Sequence, residues 1–565
     1  MRTKPRFTTT ALVPLMAAIA FGLYLANTWA VPLSDPDEGR YAEIGREMLA
    51  SGDWLVPQLF GLPYVEKPPL THWLTALALW LFGLNEFAAR LMPALAAALG
   101  LLGTGLGVAR LLRPRVGVFS VIMLATSLLY FAMARLLLTD MLFTTFLTLA
   151  LWSYAMTVSE HWRARPGYAV FWVLLAGAMM TKGPVGPALA GIIITCDLAG
   201  RKSLRTLVSA EVWLSFPLFV LLTLPWFLAV EQRHAGFLNF YVIKEHLQRA
   251  GGGEHRQPFW YFGWVVAAGL MPWTFVAMAS LPLSWKSARA QTVQGHTLRL
   301  LLIWPAVVLA FFSAMGGKLI PYILPMLPPL AVLAANYLDT RLETSAWPSR
   351  GMRMATMLTV VTLSVLAIGV FAAQKQFGIE REALPRFVVS LPLLVAAGAT
   401  LRWLTRLELV RLGAMMASLT LFYLGLALIL PSVTDTFALR GPVRRAQQQL
   451  QPGDDVVMIN FYMPSVAFYT QQVPYVVGGR GELALGAQFA GRAERLVDKV
   501  ADLPQRLNGR RAAVFLRSER TSAKYAAMNA ELQTVKAYLR NEVGSLVSLS
   551  INQRAEVLLL SRKRD

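Results

Sequence analysis

Two short stretches of this chain combine carboxylates and cations at spacings that suit charge-driven chemistry. Asp35-Pro36-Asp37-Glu38 places three acids within four residues, with Arg40 close behind. Glu66-Lys67-Pro68-Pro69 sets a carboxylate beside an ammonium and stiffens both with prolines. Such a pair suits a hard cation, or a phosphate held through charge-assisted contacts. Further ionisable residues stand beside helix-breaking ones: Asp140 after Arg135 and Thr139, Lys182 before Gly183-Pro184, and Lys318 between Gly316-Gly317 and Pro321-Tyr322. Of the 6 histidines, His234, His246 and His255 share one polar stretch, which also holds Arg249. A histidine with a distant carboxylate could bind a divalent cation. The spacing matches no metal motif, however, and the alternative is a solvated loop of mixed charge.

The elements that must position these residues are membrane helices. The chain has 565 residues, of which 56% are hydrophobic and 15% charged, with mean hydropathy +0.49. Soluble proteins carry about 25% charged residues, so a cytosolic enzyme is excluded. The single cysteine, Cys196, excludes a disulfide framework. A net charge of +21 in such a chain is explained by the basic residues that orient membrane helices, and nucleic acid is not an expected partner.

Apolar runs long enough to span occur at about 11–31, 91–112, 116–135, 141–158, 167–181, 184–199, 211–230, 259–281, 299–315, 319–338, 354–373, 387–403 and 410–431. The segment 70–84 is only about 15 residues long, and charge decides its status. If it does not span, the clusters at Arg110/Arg113/Arg115, Arg163/Arg165, Arg201/Lys202/Arg205, Lys286/Arg289, Arg350/Arg353 and Arg402/Arg406/Arg411 all fall in the cytoplasm. The count is then about thirteen spans, with 70–84 interfacial or re-entrant. Stretches 32–69, 136–140, 182–183, 231–257, 316–318 and 374–386 lie on the outer face, and so does the tail.

The expected fold is therefore an all-α polytopic membrane protein over residues 1–431, with interfacial helices in an outer loop 32–90. Within that loop Asp35 can cap a helix whose apolar face lies along the membrane, leaving Glu43, Arg46 and Glu47 on a solvated or salt-bridged face. Residues 432–565 read as a small soluble α/β domain. Val456–Ile459, Tyr475–Val477, Ala513–Leu516 and Val557–Leu560 are its strand candidates, with helical stretches at PSVAFYTQQ, near 485–502 and near 521–540.

The motifs resemble a known family. Asp35-Pro36-Asp37-Glu38-Gly39-Arg40-Tyr41 leads into Arg46-Glu47-Met48-Leu49, Gly52-Asp53-Trp54, Pro57, Gly61-Leu62 and Glu66-Lys67-Pro68. Together with Lys182 in Met-Thr-Lys-Gly, Glu245-His246-Leu-Gln-Arg249, His255-Arg-Gln-Pro258-Phe259-Trp260-Tyr261, and Gly317-Lys318-Leu319 before Tyr322, this is similar to the lipid A aminoarabinose transferases (the ArnT family). These belong to the polyprenyl-phosphate-dependent glycosyltransferases of the GT-C fold, which include protein O-mannosyltransferases. The matching motifs are spread over roughly the first 330 residues.

The resemblance implies transfer of 4-amino-4-deoxy-L-arabinose from undecaprenyl phosphate to lipid A phosphates at the periplasmic face of the bacterial inner membrane. That modification confers polymyxin and cationic antimicrobial peptide resistance. Its partners are the lipid-linked sugar, lipid A and membrane lipids. Charge stabilisation at the departing phosphate makes Arg40, Lys67, Lys182, Arg249 and Lys318, with Tyr322 as a neutral donor, the candidates for binding the donor phosphate. The resemblance suggests Glu66 and His246 as holders of a divalent metal ion, with His255 as competing ligand. Asp37 is the expected catalytic group on the acceptor side and Asp140 the second candidate. The alternatives are a related glycosyltransferase with a protein or other glycan acceptor, and a lipid-linked-sugar transporter. A transporter commonly shows inverted repeats with broken helices at the bilayer midplane. No repeat is evident, and the ionisable residues gather at one face.

Overall fold

The computed structural model describes residues 9–243 and 255–343, with most of 422–562. The expected spans 354–373 and 387–403, and half of 410–431, lie outside the described residues, as do His246 and Arg249.

The first nine helices carry the first part of the site. They are α1 (Leu12–Leu25), α2 (Asp37–Ser51), α3 (Leu70–Phe82), α4 (Glu86–Leu111), α5 (Pro114–Ala125), α6 (Leu128–Ala134), α7 (Thr139–Val158), α8 (Ala164–Lys182) and α9 (Val185–Gly200). Among the described residues five helical segments are long and apolar enough to cross a bilayer, α4 and α7 among them, with Ala210–Arg233, Val293–Ala314 and Ile320–Glu343. Two expected spans are bent. α5 and α6 meet at 70°, and Tyr261–Gly269 meets Thr274–Ser287 at 106°, so 116–135 and 259–281 are broken helices rather than straight ones. Counting each bent pair as one span gives 7. α3, with 13 residues, rises about 20 Å, well short of the ~30 Å hydrocarbon core. The helices in the expected spans 11–31 and 184–199, Thr9–Leu25 and Val185–Gly200, are also shorter than 18 residues.

α2 starts and stops for local reasons. Pro36 stands at its N-cap, Asp37 and Glu38 sit in the first turn, and Gly52 ends it at φ 70 with its N–H on Met48 O. Acids in a first turn favour the helix dipole, and a left-handed glycine satisfies the last carbonyls. Two expectations for this helix are corrected. Asp35 does not cap it; its carboxylate accepts from the backbone N (2.9 Å) and hydroxyl of Ser465. Nor does the helix lie open on a membrane surface, because every residue from Glu38 to Met48 is buried. Glu43 and Arg46 pair with each other at 2.6–2.7 Å. Glu47 accepts from the N–H groups of Phe60 (2.7 Å) and Gly61 (2.9 Å), which form the tip of the β1 (Gln58–Leu59) and β2 (Leu62–Pro63) hairpin. Both tip residues have positive φ, as a tight hairpin turn requires.

α2 is buried by α3, by the β1–β2 hairpin and by the C-terminal region. There β3 (Asp455–Ile459), β4 (Tyr475–Val477), β5 (Leu496–Val497), β6 (Ala512–Arg517), β7 (Gly544–Ile551) and β8 (Ala555–Arg562) form one sheet of order β5-β4-β3-β6-β8-β7. The first four strands are parallel; β8 runs antiparallel to β6 and β7 to β8. All four expected strands are present, while the helical reading of 485–502 gives way to a helix at Leu483–Phe489 followed by β5. Ile44, Met48, Phe60 and Tyr64 share one core with Val456, Phe461, Val466 and Phe515. Because α2 is covered by this core, its polar residues must find partners inside the protein.

Candidate active site

Glu38 fixes where the site begins. Both its oxygens accept from Arg90 of α4, Nε at 2.8 Å and Nη2 at 2.7 Å. Arg90 spends its remaining donors on the carbonyls of Thr28, Val31 and Pro32. All five guanidinium N–H groups are thus satisfied, as burial requires. Glu38 also accepts from the N–H groups of Ser34 and Leu137, each at 3.0 Å. The last bond ties the start of α2 to the backbone just ahead of α7, and so fixes Asp37 relative to Asp140.

Two charge clusters result. In the first, Asp37 is the opening residue of α2 with its side chain 57% exposed, and it accepts from Arg40 Nη2 at 2.5 Å. Arg40 is buried, lies 5.0 Å from the Tyr41 ring centroid and pairs through Nη1 with Glu482 of the C-terminal region. Tyr462 donates to the same Glu482 at 3.5 Å. Glu66 is buried nearby, and its charge helps hold the Tyr64 and Tyr462 hydroxyls protonated, burial being the larger cause. Lys67, beside it, is half-buried.

In the second cluster Asp140, in the first turn of α7, forms an ion pair with Lys182, the last residue of α8. Lys182 Nζ lies 4.6 Å from the Tyr322 ring centroid and 5.5 Å from that of Phe143. Gly183 ends α8 at φ 78 and lets the chain turn back into α9 at once. Lys318 is also buried. Its ammonium donates to Gln257 O (3.1 Å) and Met315 O (2.5 Å), and its backbone N–H donates to His255 O at 3.1 Å. Neither lysine snorkels outward. His255 itself is exposed.

Tyr41 joins the clusters. Burial raises its pKa, Arg40 opposes this, and Asp37, Glu482 and Asp140 add to the rise. Carboxylates from three distant segments therefore act on one buried hydroxyl. Between Tyr41 and Tyr64 lies His72, 5.5 Å from each ring, wholly buried, with neither ring nitrogen hydrogen-bonded among the described residues. Burial, then the Arg40 charge, lowers its pKa to about 3, so it is neutral.

Of the residues singled out in the sequence, Asp37, Arg40 and Glu66 gather in the first cluster, and Asp140, Lys182 and Tyr322 in the second. Glu482, Tyr64, Tyr462 and His72 are not among the residues the sequence singles out, and Tyr41 stands there only as part of the motif. Tyrosines in a hydrophobic, aromatic-rich chain carry no signal of their own, and Glu482 lies outside every motif. As for a metal, Glu66 offers a buried oxygen donor. Among the described residues no group of three His, Cys, Asp or Glu side chains forms a ready cation site.

The comparisons with known proteins agree with the resemblance read from the sequence. The family model for dolichyl-phosphate-mannose-protein mannosyltransferase matches residues 9–241. A Serratia proteamaculans protein named undecaprenyl phosphate-alpha-4-amino-4-deoxy-L-arabinose arabinosyl transferase is 34% identical over 333 residues, covering 57% of this chain and 59% of that relative. One from Sodalis glossinidius is 36% identical over 332 residues, 56% of this chain and 57% of its own length. The chain thus spans less than 60% of the length of these curated relatives. Solved structures of ArnT from Cupriavidus metallidurans share the fold throughout. The apo form gives TM-score 0.77 at 25% identity over 98% of this chain and 99% of that one. The form bound to undecaprenyl phosphate gives TM-score 0.80 at 24% identity over 99% and 100%.

Proposed function

We propose that this chain is a pentosyltransferase that moves 4-amino-4-deoxy-L-arabinose from undecaprenyl phosphate to the phosphates of lipid A, on the periplasmic side of the inner membrane. The supporting observation is the Asp140–Lys182 pair stacked on Tyr322 at one end of α7 and α8, in electrostatic reach of the Asp37–Arg40–Glu482 group through Tyr41. In this reading residues 1–431 form the membrane part, with about thirteen spans, and residues 432–565 are its periplasmic partner.

Departure of a phosphate from the sugar's anomeric carbon needs no strong acid, because the leaving group is already an anion. It needs positive charge where the negative charge collects, and preorganised donors in a water-poor site are the most effective source. Lys182, held in place by Asp140, supplies it, and Lys318 has one donor beyond the two carbonyls it already serves. Arg40, Lys67 and Arg249 add charge, and the Tyr322 hydroxyl is a neutral donor. Asp140, committed to Lys182, acts by holding that ammonium rather than as a base. The acceptor phosphate loses its second proton at about pH 6, so it arrives as a nucleophile. Asp37, exposed at the helix start, then orients it and pairs with the sugar's ammonium group.

A divalent ion on Glu66 and His246, with His255 the competing ligand, would add further positive charge beside the leaving phosphate. The steps above do not depend on it.

Purified full-length chain, reconstituted with lipid-linked aminoarabinose and lipid A, should yield aminoarabinose-modified lipid A by mass spectrometry. Modification of a peptide or glycan instead, or movement of the donor between leaflets without transfer, would overturn this reading.

A further inference from the structure

A polar cavity lies at the end of the bundle away from Asp140. Its walls include Thr157 and Val158 at the C-terminal end of α7, residues 160–164 of the turn into α8, and Arg201 just after α9. α7 has 20 residues, so this cavity is roughly 30 Å from Asp140 along the helix axis. It belongs to the opposite membrane face from the site above.

The volume is about 630 Å³, within the usual range for small-molecule sites. Its charged lining is mixed: Arg163 and Arg201 on one hand, Glu160 and Glu211 on the other. Arg201 is anchored, its Nε donating at 2.7 Å to the buried Asp197, which also accepts from Tyr154. Arg163, Glu160 and Glu211 form no ion pair among the described residues, although they line a common cavity. Charges of both signs left unpaired around one hollow match a ligand that carries both signs itself.

The surroundings say where that ligand comes from. Leu204, Val208, Trp213 and Leu214, beside the cavity on the segment between α9 and the helix Phe216–Arg233, are 48–81% exposed. Trp162 lines the cavity and is 39% exposed. Exposed aliphatic residues with tryptophans at the end of membrane helices mark the headgroup level of a bilayer. Arginines in pockets between helix ends at that level hold lipid headgroup phosphates.

We propose that this cavity binds the headgroup of an amine-bearing phospholipid in the leaflet opposite the reaction. Arg163 and Arg201 take the phosphate; Glu160 and Glu211 take the protonated amine. The site is separate from the donor and acceptor sites and orients the helix bundle from below.

Native mass spectrometry of the detergent-purified full chain, after exchange with phosphatidylethanolamine or phosphatidylglycerol, tests this. The expected result is one retained phosphatidylethanolamine, with phosphatidylglycerol retained several-fold less. Glu160→Gln/Glu211→Gln and Arg163→Gln should each lower phosphatidylethanolamine retention about fivefold, roughly 1 kcal/mol, while Asp140→Asn leaves it unchanged. All four positions except Asp140 are exposed, so folding is preserved, and an unchanged melting temperature checks that. Equal retention of the two lipids, or variants that hold phosphatidylethanolamine like the wild type, would overturn the proposal. Complete displacement of the lipid by soluble phosphoethanolamine would overturn its lipid part.

Discussion

Arg40 and Glu482 stand 442 residues apart and form an ion pair in which the guanidinium is 7% exposed and the carboxylate 32%. The pair joins the motif-bearing helix α2 to the C-terminal sheet region, so the candidate site is built from both ends of the chain. Removing the charge of Glu482 should therefore damage the reaction more than the fold. Glu482→Gln is expected to lower kcat/KM about tenfold, which corresponds to roughly 1.4 kcal/mol of transition-state stabilisation. The melting temperature should move by no more than a few degrees. Steady-state transfer assays beside thermal unfolding check this; unchanged kinetics would remove Glu482 from the site.

The Asp140–Lys182 pair predicts a non-additive cycle. Lys182→Met should cut turnover about 10²–10³-fold, the usual effect of losing one preorganised donor. Asp140→Asn should cost less, because the ammonium remains. The double variant should be no worse than Lys182→Met alone, since Asp140 acts through that lysine. Additive losses in single-turnover measurements would instead give Asp140 a role of its own.

Gly39 lies where α2 passes close to the backbone of the C-terminal region. A Cβ there would meet Asp35 and stand 2.6 Å from the backbone N of Ser465. Since that neighbour is backbone, it cannot step aside as a side chain would. Gly39→Ala should destabilise by on the order of 2 kcal/mol and expose the 465 region to limited proteolysis. Wild-type protease resistance would contradict the docking described above.

Two buried groups set opposing pH dependences. Burial, partly offset by the Ser465 hydrogen bonds, raises Asp35 from 3.8 to about 6. An acid raised on folding is most stabilising below its unfolded pKa, and that contribution, on the order of 3 kcal/mol, fades as pH rises from about 4 to about 6. His72, lowered to about 3, works the other way: its stabilisation is complete above about 6.5 and fades as pH falls. Asp35→Asn should therefore steepen the loss of stability on acidification, and His72→Phe should flatten or reverse it. Melting temperatures between pH 4 and 7 decide.

The sequence disclosed what depends on local pattern. Apolar length and charge parity separated the face holding Asp140 and Lys182 from the face holding Arg163 and Arg201: Lys182 and Arg163 stand at opposite ends of α8, and Arg201 follows the far end of α9. The four C-terminal strands were legible from short β-branched runs. The amphipathic pattern of α2 misled because it records which residues are apolar, not what will cover the polar ones. Glu43, Arg46 and Glu47 look like a solvated face, yet they are internal because α2 is enclosed by α3, by the hairpin that Glu47 holds and by a C-terminal region more than 400 residues away. Glu482 was invisible for the same reason. Its significance lies in a long-range contact, and β5 and β7 were missed because each depends on neighbouring strands rather than on its own composition.

The cover over α2 also sets an order of events in synthesis. Asp35 waits for Ser465, and Arg40 for Glu482, so a nascent chain with its early helices already inserted carries the acidic motif of α2 without its roof. The charge cluster around Arg40 comes into being only after residue 482 has been made, and until then the membrane holds these helices without their cover.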